Sequence, residues 1–251
     1  MVSSECSIEN IIILAAGEGR RFFKSGGKVL KQLVPFNGIP LVRRIVLQAL
    51  RLNIEGKVIV VVGEDEEQVK QIKQSLTGID GIQYVKNEKS RADNNFYSVK
   101  KALECCSKSA SIIIEADCVF EDSDLSSFAS SVTNSSSIIW GCIGAANNYE
   151  NGGVLVPEHK DSAWQPHIAS GDEYRSLAEQ PGSLKMFGIV GISHEQTSRF
   201  FEQVADVNYD VPSYFHQVFF DSPSSYKHTV YDFGLDAFSF NTNKELNLNE
   251  K

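Results

Sequence analysis

The stretch Ile11-Ile12-Ile13-Leu14-Ala15-Ala16-Gly17-Glu18-Gly19-Arg20-Arg21 runs from a wholly apolar segment straight into a loop of small residues and two arginines. Four consecutive apolar residues stopped by a glycine-rich turn predict a buried central strand. Lys57-Val-Ile-Val-Val-Val62, closed by Gly63, is a second such strand, and Ser111-Ile-Ile-Ile-Glu115 is a third. Ile82-Gln-Tyr-Val85 is a shorter candidate. Between these strands the apolar period changes from continuous to helical. Leu41, Ile45, Leu47 and Leu50 have a helical spacing after Pro40, which is tolerated in a first turn. A helix over 64–76 has its acids early, its lysines late and Gly78 past its end. Another is predicted from about Asn95 to Cys106. Strand alternating with helix in this way implies right-handed crossovers and a mainly parallel sheet, whose ligands lie beyond the carboxyl ends of the strands.

The second half is less regular. A short surface helix is predicted within 123–137 from Leu125, Phe128, Ala129 and Val132, and strands over 138–143, 153–156 and 187–192. His159 to Glu179 reads as a polar stretch holding Trp164; helices are expected over 195–204 and 214–220, and closing strands over 229–232 and 237–240. The expectation is one α/β domain spanning 1–251, with a nucleotide-binding half at approximately 8–120 and an acceptor-binding lobe with closing strands at approximately 137–240.

Composition narrows the function classes. The 251 residues carry 24 Lys and Arg against 32 Asp and Glu, a formal charge of −8. An acidic surface is poorly matched to nucleic acid, because counterion release rewards clustered cations, so no nucleic-acid partner is expected. No run is long and apolar enough to suggest a membrane span, and the odd count of five cysteines, two adjacent at Cys105 and Cys106, suits a reducing, cytoplasmic setting. The five histidines form no metal-binding pair, so zinc is unsupported.

Three clusters carry chemistry. Small residues from Ala15 to Gly19 allow consecutive amides to form an anion-binding nest, and Arg20 and Arg21 add forked donors for phosphate oxygens; a plain tight turn is the alternative. Asp93-Asn94-Asn95-Phe96-Tyr97-Ser98 opens a helix whose apolar face is Phe96, Val99 and Leu103. One asparagine suffices to cap it, leaving other polar groups for a ligand. Glu115-Ala116-Asp117 ends a central strand, where alternation puts both carboxylates on one side and within reach of Mg²⁺, unless Asp117 only caps the next turn. Two familiar phosphate motifs fail: residue 22 is Phe where a dinucleotide fingerprint has its third glycine, and Gly26-Gly27-Lys28-Val29 lacks the P-loop spacing and hydroxyl.

The loop Leu14-Ala15-Ala16-Gly17-Glu18-Gly19-Arg20-Arg21 resembles the Leu-Ala-Ala-Gly-x-Gly-x-Arg signature of the nucleotidyltransferases that activate sugar phosphates and small alcohol phosphates, with Arg21 on the signature arginine. Lys31, ahead of Gly38-Ile-Pro40-Leu41, matches the signature lysine, although Leu30 stands where the pattern has proline and Lys24 and Lys28 lie in the same segment. Asn94-Asn95-Phe96-Tyr97-Ser98 is similar to a motif of the phosphocholine and aminoalkylphosphonate cytidylyltransferases. The resemblance implies a Rossmann-like, three-layer α/β/α fold of GT-A type with a mainly parallel mixed sheet. It implies Mg²⁺-dependent transfer of CMP from CTP to a small anionic acceptor, with Arg21, Lys31 and Asp117 in catalytic roles.

The same resemblance implies nucleotide contacts from Leu14, Ala15, Ala16, Gly17, Glu18, Gly19, Arg20, Asn94, Ser98 and Glu115, with Asn95 as the helix cap. Asp117 matches the principal metal ligand. Asn241 stands where the phosphocholine enzymes have a carboxylate, with Asp232 and Asp236 as substitutes for it. Glu179 and Lys185 are faint matches to an acceptor-binding Glu-Lys-Pro segment, in which Gln180 replaces the lysine. A sugar-1-phosphate or methylerythritol-phosphate type nucleotidyltransferase is the rival enzyme, the latter from Lys31-Gln32-Leu33. A non-catalytic nucleotide-binding regulatory protein is the rival outside catalysis.

Overall fold

A computed structural model describes residues 7–52, 54–158, 164–209, 213–221, 225–234 and 236–249, the side chains of 247–249 excepted. The first half runs β1 (Asn10–Leu14), α1 (Arg20–Lys24), a 3₁₀ turn at Lys31–Leu33, the hairpin β2 (Pro35–Phe36) and β3 (Ile39–Pro40), then α2 (Leu41–Arg51), β4 (Lys57–Val62), α3 (Glu66–Ser75), β5 (Ile82–Lys86), α4 (Phe96–Leu103), β6 (Ser111–Glu115), β7 (Cys118–Val119) and α5 (Asp122–Thr133). The second half adds β8 (Ile138–Ala145), β9 (Asn151–Pro157), β10 (Trp164–Ser170), α6 (Gly171–Ala178), β11 (Leu184–Ile192), α7 (His194–Asp206), α8 (Gln217–Phe220), β12 (His228–Asp232), β13 (Phe238–Ser239) and α9 (Asn243–Asn249).

The main sheet runs β12-β8-β11-β6-β1-β4-β5, and β9 and β10 extend it along the first residues of β11. β1 pairs in parallel with β4 and with β6, β4 with β5, and β12 with β8; β11 runs antiparallel to β6, β8 and β9. This is the mixed, mainly parallel sheet expected. Period-two alternation sends β1 side chains to two separate cores. Ile11 and Ile13 pack with Val42, Ile45 and Val46 of α2 and Phe128 of α5. Ile12 and Leu14 pack with Phe96 and Val99 of α4 and Phe200 of α7 on the opposite face. Three layers follow from that division, each buried large side chain being worth roughly 1.5–3 kcal/mol.

Register then positions the site. Leu14 lies opposite both Val61 and Glu115, so the glycine loop after β1 and the acidic segment after β6 emerge together at one edge.

Four expectations are corrected. Residues 164–178 are not irregular: they form β10 and α6, because Tyr174 and Ala178 on one helical face pack against Val154 and Val156 of β9. Their sequence carries too few apolar residues to show either period, and 159–163 lies outside the described residues. The helix expected over 214–220 is confined to Gln217–Phe220, and that over 95–106 to Phe96–Leu103. The closing strand near 237–240 shrinks to β13, which pairs with β7 rather than with the main sheet. No described helix is long and apolar enough to cross a membrane.

Candidate active site

Beyond the carboxyl ends of β1 and β6 lies a cavity of about 670 Å³, lined by residues 14–22, 31–32, 90–95, 98, 115–117, 214 and 241. Gly19 makes the turn from loop to α1 with φ of 64°, and a Cβ there would come within 3.1 Å of the Lys31 Cβ, so loop and lysine approach through the absent side chain. Amide groups underpin the loop from behind. Gln32 donates to the Ala15 carbonyl at 3.0 Å, and Gln68 of α3 donates to the Gly17 carbonyl at 2.9 Å. Both glutamines are buried; Gln68 belongs to no sequence motif, and the Lys31-Gln32-Leu33 match does not mark Gln32 as holding the loop.

Charge concentrates at one end of the cavity. Lys31 Nζ is ion-paired with the Asp117 carboxylate and lies 3.4 Å from Asn241 Oδ1, to which Arg21 also donates at 2.9 Å. Asn241 is brought there by the turn after β13 and held by α9: its amide donates to Glu245, whose own amide donates to Thr242 Oγ1. Glu115 sits behind Asp117. Burial, reinforced by the charge of Asp117, pushes its carboxyl up to about 7, while Lys31 and a hydrogen bond from Asn95 pull the other way. A side chain on Gly188 of β11 would fall 2.9 Å from Glu115 Oε2, so that glycine lets the strand pass the site.

The donor set suits magnesium. One carboxylate and one amide oxygen already converge on a cation, the Lys31 ammonium, and Mg²⁺ takes few protein ligands of this hard type, completing its shell with water and phosphate oxygens. Among the described residues no group of three or more His, Cys, Asp and Glu side chains gathers around a metal position. Neither Asp232, which accepts from the Gly234 amide, nor the exposed Asp236 lines the cavity.

At the other end, the Asn94–Ser98 segment is built differently from expectation. Asn95 does not cap α4; Asp93 does, accepting from the amides of Tyr97 and Ser98 and from Asn87 Nδ2. An acid three residues before a helix is a recognisable cap signal, masked in the sequence by the two asparagines that follow it. Ser98 is 2% exposed and its hydroxyl accepts from Asn87, whereas Asn94 is exposed toward the cavity with no side-chain hydrogen bond among the described residues. Arg20 is tied to Glu18 at 2.6 Å and to the Arg91 carbonyl, and Arg91 in turn approaches Glu18 and Asp65. Arg91, on the cavity wall, is a cation that no motif in the sequence singles out.

The two faint acceptor candidates lie outside the cavity wall. Glu179 is exposed at the end of α6. Lys185 is sequestered on β11, donating to the carbonyls of Asn151 and Gly153 beneath the rings of Tyr149 and Tyr174. Burial pushes it down to about 8, Glu115 and Glu245 opposing that shift. Tyr174 and Phe187 are core residues, and Cys118 is buried with its thiol held well above the ordinary range by burial and by Asp117 and Glu115.

Known proteins share this architecture. The inositol-1-phosphate CTP transferase of T. maritima superposes with a TM-score of 0.70 over 98% of this chain and 97% of that one, at 19% identity. The CTP:phosphocholine cytidylyltransferase of Streptococcus pneumoniae gives 0.74 over 97% of this chain and 99% of that one, at 21% identity. In sequence, the 2-aminoethylphosphonate cytidylyltransferase of Lancefieldella rimae is 29% identical over 113 residues, a match covering 45% of this chain and 44% of that protein's length. The profile of the MobA-like NTP transferase domain matches residues 11–197, taking in the glycine loop, Lys31, the Asn94–Ser98 segment and Asp117. With three quarters of its length inside that match and its loops gathered at the carboxyl edge of the sheet, the chain belongs to the MobA-like NTP transferase domain family.

Proposed function

We propose that the protein is a cytidylyltransferase that moves CMP from CTP onto a small phosphorylated or phosphonate acceptor and releases pyrophosphate. One observation carries the reading: an amide-rich loop, two cations, a carboxylate and an amide oxygen from four separated segments face a single cavity. That combination suits a reaction in which negative charge is gathered and redistributed rather than one needing a nucleophilic side chain.

The acceptor oxygen is itself anionic at neutral pH, so no strong base is required. It attacks the α-phosphorus in line; the new bond joins acceptor oxygen to phosphorus, and the bond to the β-phosphate oxygen breaks, its electron pair leaving with pyrophosphate. The amides of 15–19 cradle the triphosphate, and Arg21 and Lys31 neutralise charge as it shifts to the leaving group. Asp117 and Asn241 would hold Mg²⁺, which would supply positive charge to offset the negative charge of the phosphates. Asn94, free to turn to a base, supports the preference for CTP, as does the similarity to a cytidylyltransferase in sequence. An aminoalkyl phosphonate or phosphate is the preferred acceptor class; Lys185, outside the cavity wall, would serve its phosphate only by giving up its bonds to the Asn151 and Gly153 carbonyls.

Pyrophosphate release measured over the four NTPs with Mg²⁺ and a panel of phosphocholine-like, aminoalkylphosphonate and sugar-1-phosphate acceptors tests the reading. Fastest release with CTP and a small amine-bearing acceptor supports it. A sugar-1-phosphate with UTP as the fastest pair overturns the cytidylyl assignment, and binding without release overturns catalysis.

A further inference from the structure

Asn95 joins two halves of the chain that are otherwise separated by 120 positions. Its Oδ1 accepts from the Phe215 amide at 2.8 Å, its Nδ2 donates to Glu115 Oε1 at 3.0 Å, and its own amide and that of Phe96 both approach the Ser213 carbonyl at 3.2 Å. The side chain is buried, so these bonds are made away from competing water and a lost partner leaves a polar group stranded. His216 is pinned separately, stacked on Trp140 with ring centroids 5.6 Å apart.

Tyr214 stands between these anchors and is treated differently from its neighbours. Ser213, Phe215 and His216 are all buried, whereas Tyr214 is 36% exposed, makes no side-chain hydrogen bond among the described residues, and lines the cavity. Its backbone is clamped on both sides while the residue lines the same cavity as Glu115. Glu115 ends β6, which lies between β1 and β11, so Tyr214 stands where the Asn94–Ser98 segment meets the β11 side of the sheet, away from β4.

From this arrangement we infer that Asn95 is a positioning residue that holds Tyr214 as a wall of the acceptor subsite, making Tyr214 a specificity-determining residue for the acceptor's organic portion. The inference rests on the cytidylyl-transfer reading for the identity of the two substrates, but the mechanical link from Asn95 to Tyr214 does not.

Two measurements separate these levels. In steady-state assays, Tyr214→Ala and Asn95→Ala should each raise the acceptor KM about tenfold with the CTP KM within about twofold, and the double variant should be no worse than the poorer single, as for coupled residues. Tyr214→Phe should behave as the parent, because the ring and not the hydroxyl forms the wall. Tyr214 is exposed and unbonded, so Tyr214→Ala folds even where Asn95→Ala does not. An unchanged acceptor KM in Tyr214→Ala, or a loss confined to CTP, overturns the specificity role. For the link itself, Tyr214→Trp provides a fluorescent reporter that needs no turnover, the native Trp140 being buried and Trp164 half-buried. Acrylamide should quench the reporter more strongly when Asn95→Ala is added than in the parent background; equal quenching overturns the positioning role. A parent that turns over no NTP with any acceptor, yet shows the quenching difference, refutes the catalytic reading while leaving the link intact.

Discussion

The Lys31 ammonium is ion-paired with the Asp117 carboxylate across 86 positions of sequence, and the same ammonium lies near Asn241, which Arg21 also contacts. Two cations therefore share one amide oxygen beside one carboxylate. Groups so connected act on a common charge, and their substitutions should not be independent.

Arg21→Ala and Lys31→Ala should each depress turnover, and the double variant should lose less than the product of the two factors. Asp117→Asn should leave circular dichroism unchanged and lower turnover at least about 100-fold, the scale of removing a principal electrostatic element. Full additivity, or a loss confined to Lys28→Ala, would show that the active lysine lies elsewhere in 24–31.

Asn241 supplies a neutral oxygen where a carboxylate would add charge, so the apparent magnesium affinity should be lower than in a two-carboxylate site. Asn241→Asp should reduce the magnesium concentration needed for half-maximal rate. Asn241→Leu should raise it or abolish activity while leaving thermal stability without metal nearly unchanged. A Leu variant that titrates like the parent removes Asn241 from the metal site.

Asp93 should matter to stability. Its carboxylate accepts from two first-turn amides of α4 and from Asn87, and burial pushes its pKa up against those hydrogen bonds. Asp93→Ala should cost about 1–2 kcal/mol in urea unfolding, the upper range for loss of a helix cap. Asn95→Ala should not show the pattern of a lost cap, because its side chain bonds Glu115 and Phe215 instead.

Lys185 gives a pH prediction. Its folded pKa, lowered to about 8 by burial, lies below that of the unfolded chain, so between pH 8 and about 10.4 the unfolded state binds more protons and this lysine's contribution to stability rises with pH. The melting temperature of the parent relative to Lys185→Met should therefore climb over that window. If the ammonium serves the acceptor phosphate, the acceptor KM should rise above pH 8 in the parent and stay level in Lys185→Arg. A flat parent profile would leave Lys185 as a structural residue that only ties β11 to the Asn151 and Gly153 carbonyls.

Much of the central sheet is legible in the sequence alone. Ile11–Leu14, Lys57–Val62 and Ser111–Glu115 are strands buried on both faces, and such strands announce themselves by continuous apolar runs that edge strands lack. Asp117 and the glycine loop follow, since strand ends in a parallel sheet share one edge. What stays hidden depends on contacts between distant residues. β10 and α6 acquire their apolar face only by packing on β9, so Trp164 to Ala178 reads as polar in isolation. Asn95 reads as a cap because sequence shows that a helix begins there, not that Phe215 and Glu115 wait on either side. The roles of Gln32 and Gln68 are invisible for the same reason, although Gln32 falls in the Lys31-Gln32-Leu33 match: their partners are backbone carbonyls of Ala15 and Gly17.

The central claim is transfer of CMP from CTP at this cavity, and the most direct measurement is phosphorus NMR of the product formed from each NTP with 2-aminoethylphosphonate or phosphocholine and Mg²⁺, in the parent and in Asn94→Ala. The expected product is a new mixed anhydride between acceptor and CMP, formed faster from CTP than from UTP, GTP or ATP, with CTP binding weakened by about 1–3 kcal/mol in the variant through its unpaired polar partners. Formation of the anhydride at equal or greater rate from UTP or GTP, or pyrophosphate appearing with no adduct to either acceptor, would contradict it.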